Sequence, residues 1–388
     1  MASAATTSTV VDRWVLGRIR QALASAPIQF VLWDGFTLST SSGPPVATVV
    51  LNTRSALLAC LWNPDLNFGE GYMSGAIEVR GDLLALMEAI NRAIGRVKSG
   101  HRRRSQRPND LRTSEHNVHH HYDLGNAFYR LWLDPELVYT CAYFPTAETS
   151  LVQAQIAKMD LVCRKLDLRA GDRVVEAGCG WGSLALYMAE HYGVTVRAFN
   201  VSTEQIAHAR HRARQAGLDQ NVEFIEDDYR NVRGPFDVFV SIGMLEHVGP
   251  AHYATLGRVI DEGLTQSGCG LLHFIGRNQP APLNAWIRKR IFPGAYPPTL
   301  TEVFAGVFEP RGFSVLDVEN LRLHYAKTLD WWRRGFNAHE AEVAAMFDDP
   351  FVRAWRLYLA GSQAAFSTGA MQLFQVLFTR SDNNAIPW

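Results

Sequence analysis

One segment constrains this chain more than any other. Val174, Val175, Glu176, Ala177, Gly178, Cys179, Gly180, Trp181 and Gly182 run from an apolar stretch through three glycines into a helical pattern that starts near Ser183. Glycines so closely spaced let the backbone bend tightly and approach a bound molecule, and the helix that follows presents free N–H groups. Context gives the triplet its weight. From Asp172 onward, strand-like and helix-like patterns alternate: Arg173 to Glu176, then Leu184 to His191; Thr195 to Phe199, then Thr203 to Ala216; Val222 to Ile225; Val238 to Ile242; Leu271 to Ile275. Met371 to Thr379 reads as a last strand. Such alternation predicts an α/β fold, a mostly parallel sheet covered by helices on both faces.

A dinucleotide site would show the spaced G-x-G-x-x-G with an acidic residue about 20 positions on. Here the loop reads Glu-Ala-Gly-Cys-Gly-Trp-Gly and the second strand ends at Asn200. The E-x-G-x-G form resembles the S-adenosylmethionine (SAM) loop of Rossmann-like methyltransferases. With no acid at the second strand end, the ribose hydroxyls fall to Asn200, nearby backbone or Gln205. Asp227, Asp228 and Tyr229 close the third strand, where an adenine could be held; an ordinary strand-end loop is the alternative.

Ahead of this pattern, Val10 to Ala24 places Val11, Val15, Ile19 and Ala22 on one helical face, with Arg13, Arg18 and Arg20 among the others. A helix packed on its own domain and a membrane-surface helix both fit that pattern. Strand-like runs follow at Phe30 to Trp33 and Ala47 to Leu51, separated by Ser41, Ser42, Gly43, Pro44 and Pro45. These features predict a small α+β domain over 1–98, a basic linker over 99–117 that includes Arg102, Arg103 and Arg104, and a catalytic domain over 118–388. The linker is either a solvated connection or a holder of anionic headgroups.

Lys plus Arg and Asp plus Glu both total 38, so no global field draws the chain to nucleic acid. Cys60, Cys141, Cys163, Cys179 and Cys269 are scattered without the spacing of a disulfide framework or zinc site. No metal is expected; His119, His120 and His121 are adjacent, and neighbours in an extended chain point to opposite faces. Met1 to Val11 lacks a secretory pattern, and no uncharged apolar run reaches the ~20 residues of a spanning helix. A cytoplasmic protein that visits the inner membrane face is expected.

Four further stretches stand out: His121-Tyr-Asp-Leu-Gly-Asn126, Tyr139-Thr-Cys-Ala-Tyr-Phe144, Ser241-Ile-Gly-Met-Leu-Glu-His-Val-Gly249 and Leu272-His-Phe-Ile-Gly276. With the glycine loop they resemble the cyclopropane-fatty-acyl-phospholipid synthase family and the related mycolic acid cyclopropane synthases, over about residues 115 to 388. Phe68-Gly-Glu-Gly-Tyr-Met73 and Gly81-Asp-Leu83 look like the N-terminal domain of the phospholipid-acting members. The resemblance implies transfer of a methylene group from SAM to an acyl-chain double bond. An alkene is a poor nucleophile, so it must be held dry and in line with the sulfonium methyl. Methyl transfer leaves a carbocation, and ring closure needs a base that removes a proton from the new methyl group.

In that family the base is a bound bicarbonate. The resemblance implies that Glu246 and His273 hold it by side chains, Tyr325 by its hydroxyl, and Cys141 and Ile275 mainly through backbone groups. It likewise implies that SAM meets Tyr139 and Thr140 at its carboxylate end, Gly178 and Gly180 at the loop, Asn200, Val201 and Gln205 at the ribose, and Tyr229 and Ile242 at the adenine. Taken singly, Cys141 also reads as a structural thiol, Glu246 as a helix cap and His273 as a core histidine. Trp286, Ile287, Ile291, Phe292, Pro293, Tyr296 and Pro297 form an apolar insertion that lines an acyl tunnel or covers the sheet. The expected partner is a phospholipid bilayer surface; a homodimer is also allowed for. Alternatives are an acyl-chain methyltransferase that leaves a methyl or methylene branch, a small-molecule methyltransferase, and an inactive lipid carrier.

Overall fold

The computed structural model describes residues 7–95 and 124–384, which form two compact units. The linker, Arg102 to Arg104 and His119 to His121 lie outside the described residues.

The first unit opens with helix α1 (Val10–Ala22), capped by a reciprocal Thr9–Asp12 pair. Strands β1 (Ile28–Leu32), β2 (Thr37–Ser39), β3 (Ala47–Leu51) and β4 (Ile77–Gly81) form a sheet in the order β2-β1-β3-β4. Helices α2 (Arg54–Trp62), α3 (Pro64–Ser74) and α4 (Leu83–Gly95) complete this α+β arrangement. The face of α1 differs from the expected one. Val15 and Leu16 turn inward with Asp12, which is 1% exposed and accepts from Arg54 at 2.7 Å, whereas Val11 is 57% exposed. A charged residue with a dedicated partner has displaced an apolar one from the buried side.

The N-terminal unit is also larger than the expected 1–98. Asn284–Ile291 and Leu329–Ala370 belong to it, so the catalytic unit is not the continuous stretch 118–388. The Phe68–Met73 motif explains why. On α3, a Cβ at Gly69 would run into the Trp286 ring, and one at Gly71 would come within 2.7 Å of Ile77. The absent side chains are therefore the seats of those two residues. Trp286, on the short helix Ala285–Arg290, donates its ring N–H to Met73 Sδ at 3.2 Å, while Arg290 forks onto Glu70 at 2.8 and 2.6 Å. Arg353, on the helix Asp349–Ser367, donates to the Tyr72 carbonyl and at 3.0 Å to that of Ile77.

The second unit contains helix α5 (Leu151–Lys165), strand β5 (Arg173–Ala177), α6 (Ser183–Tyr192), β6 (Thr195–Asn200), α7 (Thr203–Ala216), β7 (Val222–Glu226), β8 (Phe236–Ile242), α8 (Tyr253–Gly263) and β9 (Leu264–Gly276). Strands β10 (Phe313–Asn320) and β11 (Gln372–Arg380) finish it. The order is β10-β11-β9-β8-β5-β6-β7. Neighbours from β9 to β7 are parallel, and β11 runs antiparallel to β9 and β10. The chain winds outward from β5 to β7, then returns to the other side of β5 with β8. Ligands of doubly wound sheets bind outside the carboxyl ends of the strands at such a reversal. Buried residues on both sides of β5, Val174 on one and Val175 with Ala177 on the other, belong to separate apolar clusters. That two-sided burial accounts for the unbroken hydrophobicity of the strand.

Candidate active site

The crevice beside β5 is built by the glycine loop. Gly178, Gly180 and Gly182 take φ of 84°, 54° and 85°, a region that side chains oppose. Gly178 and Cys179 donate their N–H groups to the Phe199 carbonyl at 2.8 and 3.0 Å, which ties the loop to β6. Each glycine has its own reason. A Cβ at Gly182 would strike Phe224 at 2.6 Å and one at Gly178 would press on Met244 at 3.0 Å, but one at Gly180 would meet no protein atom within 4 Å. Gly180 therefore faces open space while its neighbours pack against their own chain.

Asn200, at the end of β6, reaches into this loop. Its amide nitrogen donates to Gly180 O at 3.2 Å and to Gln205 Oε1 at 2.7 Å. The two expected ribose residues are thus joined to each other and to the loop, with Val201 between them in sequence. Tyr229 lies in the turn after β7 and shares a buried cluster with Ala177 and Phe199. Asp228 is committed to that turn, accepting from Arg230 N at 2.9 Å and pairing with its guanidinium at 3.0 Å. Thr140 packs beside Gly243, just past the end of β8 at Ile242. Tyr139 stands against the Tyr129 and Trp132 rings, at centroid distances of 5.5 and 5.3 Å.

A second group gathers at the ends of β8 and β9. Ile242 and His273 are register partners, and Gly243 N donates to the His273 carbonyl at 2.8 Å. Glu246, in the short helix Leu245–Val248, accepts from Ile275 N at 2.6 Å through Oε1. Its Oε2 is buried without a hydrogen-bond partner among the described residues, and so is His273 Nε2. Leaving such atoms unmet costs about 1–3 kcal/mol each, so both call for a partner that the described residues do not supply. Burial pushes the Glu246 carboxyl up to about 7 and the His273 imidazole down to about 3. His273 is therefore a neutral imidazole.

Cys141 is buried, its thiol directed at the Ala142 carbonyl at 3.2 Å and toward Leu321 O at 4.0 Å. Burial raises its pKa far from the thiolate range, which disfavours a nucleophilic role. Tyr325 donates its backbone N–H to that same Leu321 carbonyl at 3.1 Å. Gln375 on β11 was not foreseen from the sequence; its amide lies 3.0 Å from His273 Nδ1. Lys158 was missed as well, although a lysine within the apolar stripe of an amphipathic helix is a readable signal. The apolar insertion is divided: Trp286, Ile287 and Ile291 belong to the first unit, whereas Phe292, Pro293, Tyr296 and Pro297 belong to the second. There, Tyr296 N donates to Glu246 O at 2.8 Å.

One family model matches this part of the chain. Its profile, mycolic acid cyclopropane synthetase, spans residues 109–376. The chain belongs to this family. Residues 16–99 match a domain of unknown function. A probable fatty acid methyltransferase of Pseudomonas putida is 35% identical over 96% of this chain and 98% of its own length. The cyclopropane-fatty-acyl-phospholipid synthase of Escherichia coli K12 is 40% identical over 69% of this chain and 68% of its own. Among solved structures, the mycolic acid cyclopropane synthase CmaA1, complexed with SAH and CTAB, superposes with a TM-score of 0.66 at 31% identity, covering 69% of this chain and 98% of CmaA1. The fold is that of Rossmann-like methyltransferases, and the protein is a SAM-dependent methyltransferase.

Proposed function

We propose that this enzyme transfers a methylene group from SAM to the double bond of unsaturated phospholipid acyl chains and closes a cyclopropane ring. One observation carries the reading: Glu246 Oε2, on the short helix after β8, and His273 Nε2, on the neighbouring strand β9, are both buried and unmet among the described residues. Bicarbonate fits this pair. It offers one hydroxyl donor and several acceptor oxygens, and the set contains a carboxyl, a neutral imidazole and the strand-end backbone. Glu246, His273 and Tyr325 would hold it, with Cys141 and Ile275 supplying backbone, and it would supply an oxygen base for the methyl proton.

The chain's own part is orientation and dryness. Ile275 N fixes one Glu246 oxygen, which leaves the other without a hydrogen-bond partner among the described residues and available to a ligand. Gln375 holds the His273 ring from the far side. The open face of Gly180, with Asn200 and Gln205, would receive the cofactor, alongside Gly178, Val201, Tyr229 and Ile242. Tyr139 and Thr140 would meet its carboxylate end.

Access to lipid is assigned to the first unit. Val10, Val11 and Trp14 on α1, at 86, 57 and 63% exposure, and Leu58, Leu61 and Trp62 on α2, at 42, 44 and 90%, present apolar side chains to solvent. Arg18 and Arg20 on α1 are exposed as well. An exposed tryptophan set with basic residues suits the headgroup boundary of a bilayer. No helix among the described residues is long and apolar enough to cross a membrane. The proposed attachment is peripheral, at the cytoplasmic face.

The test supplies SAM and vesicles of monounsaturated phospholipid, then separates the acyl methyl esters by gas chromatography against authentic standards. A cyclopropane ester is the expected product. The Pseudomonas putida relative, matched over 98% of its length, is named a probable fatty acid methyltransferase, so a methyl- or methylene-branched ester is the outcome that would replace this reading.

A further inference from the structure

Helix α5 carries a charge where its pattern calls for hydrocarbon. Leu151, Ala154, Gln155, Met159, Val162 and Cys163 form its buried stripe, and Lys158 stands within that stripe at 2% exposure. An ammonium removed from water costs several kcal/mol unless partners restore what water gave. Thr140 Oγ1 accepts from Lys158 Nζ at 3.2 Å. The Glu176 and Asp134 carboxyls attract the ammonium, the Cys141 and Cys163 thiols lie in its field, and its charge reaches His273. Burial still drives the lysine below its ordinary range and the Glu176 carboxyl above its own.

The neighbouring turn of α5 supports the same segment. Gln155 Nε2 donates to the Val138 and Thr140 carbonyls at 3.1 and 2.9 Å. Two polar side chains, three positions apart on one helix face, thus grip the segment that carries Tyr139, Thr140 and Cys141. Glu176 has one backbone bond, from Ala185 N, and a second oxygen buried without a hydrogen-bond partner among the described residues; it opens the glycine loop. Lys158 therefore lies between the two pieces of chain assigned to the cofactor.

We propose that Lys158 is a positioning residue of the methyl-transfer site: its ammonium, bonded to the Thr140 hydroxyl and attracted by Glu176, fixes the Tyr139–Cys141 segment against the glycine loop. It sets where the cofactor lies relative to the acceptor pocket. This rests on the assignment of Thr140 and Gly180 to SAM.

The experiment uses the full chain and four variants: Lys158→Met, Lys158→Met with Glu176→Gln, Thr140→Val, and Thr140→Val with Lys158→Met. Thermal midpoint, SAM affinity by calorimetry, and kcat and KM on unsaturated vesicles are measured for each. Lys158→Met alone is expected to lower the midpoint, because it strands the buried Glu176 carboxyl. Adding Glu176→Gln recovers the midpoint but leaves SAM affinity at least tenfold weaker and the KM for lipid unchanged. Thr140→Val, which keeps every charge, weakens SAM in the same direction, and its combination with Lys158→Met weakens it less than the product of the single effects. A recovered midpoint with SAM affinity within twofold of wild type would show that Lys158 is only a counter-charge. Should that double variant not fold, the Thr140 pair decides, and independent, multiplying effects overturn the proposal. Loss of the underlying SAM assignment has a separate signature, undiminished SAM affinity in folded Gly180→Val.

Discussion

Two glycine-bearing motifs of this chain use the same residue for opposite ends. In Phe68–Met73, the space beside Gly69 is filled by Trp286 and that beside Gly71 by Ile77. In Glu176–Gly182, the space beside Gly180 is left open. The first motif has its partner in the chain, and the second leaves room for a molecule from outside. Glu246 Oε2 and His273 Nε2, buried without a hydrogen-bond partner among the described residues, repeat the second case with polar atoms in place of a missing side chain. Filled sites should report on stability, and open ones on binding and turnover.

The largest effect is expected at the polar open site. Glu246→Gln keeps an acceptor for Ile275 N but removes the ionisable group, and turnover should fall within the ~10²–10⁴ range of general acid–base catalysis. Stability should move the other way. The folded-state pKa of Glu246 is raised to about 7, above the unfolded value, so the native state binds more protons and loses stability as pH climbs from the ordinary carboxyl range through about 7. The variant escapes that loss. Its thermal midpoint should exceed wild type at pH 8 and converge on it toward pH 4; a lower midpoint at pH 8 breaks the assignment.

Gly180→Val comes next, with SAM affinity expected to fall at least tenfold. The positive φ adds a strain of roughly 1–2 kcal/mol, so the midpoint drops modestly while the binding loss dominates. Gly178→Val is the less selective probe, since its side chain also presses on Met244. At the filled site the ratio reverses. Gly69→Ala overpacks Trp286, and typical costs of about 1–3 kcal/mol lower the midpoint by about 2–4 °C per kcal/mol, with calorimetric SAM affinity unchanged. Equal SAM losses in both variants would erase the distinction between the motifs. The smallest effect belongs to the exposed surface: Trp14→Ser with Trp62→Ser should reduce turnover on anionic vesicles several-fold and leave SAM affinity intact. Turnover that stays at wild-type level at both low and high salt would send lipid entry elsewhere.

The same contrast explains what the sequence reveals. The order of β5 to β9 and the loop between β5 and α6 are readable because period, glycine spacing and strand length are local signals. Glu246 and Gln205 each stand on the helix that follows a strand, β8 and β6, so their joining to Ile275 near the end of β9 and to Asn200 at the end of β6 follows from that order. The fusion of Asn284–Ile291 and Leu329–Ala370 with the N-terminal unit is not readable in this way. It depends on Gly69 and Tyr72 meeting Trp286 and Arg353, more than 200 positions away, and no periodicity records such a meeting. Strand β10 and the inward turn of Asp12 were missed for the related reason that exposed or charged residues hide an element from a hydrophobic pattern. Lys158 was overlooked because the apolar stripe around it reads as core.

Bicarbonate dependence tests the central claim most directly. Initial rates of cyclopropane formation are measured in CO₂-free buffer and after addition of bicarbonate, for wild type and Glu246→Gln side by side. The account predicts that depleted wild-type enzyme is slow and recovers on addition, and that Glu246→Gln stays slow or recovers only in part. Full activity of the depleted wild type, together with an unimpaired Glu246→Gln, would contradict it.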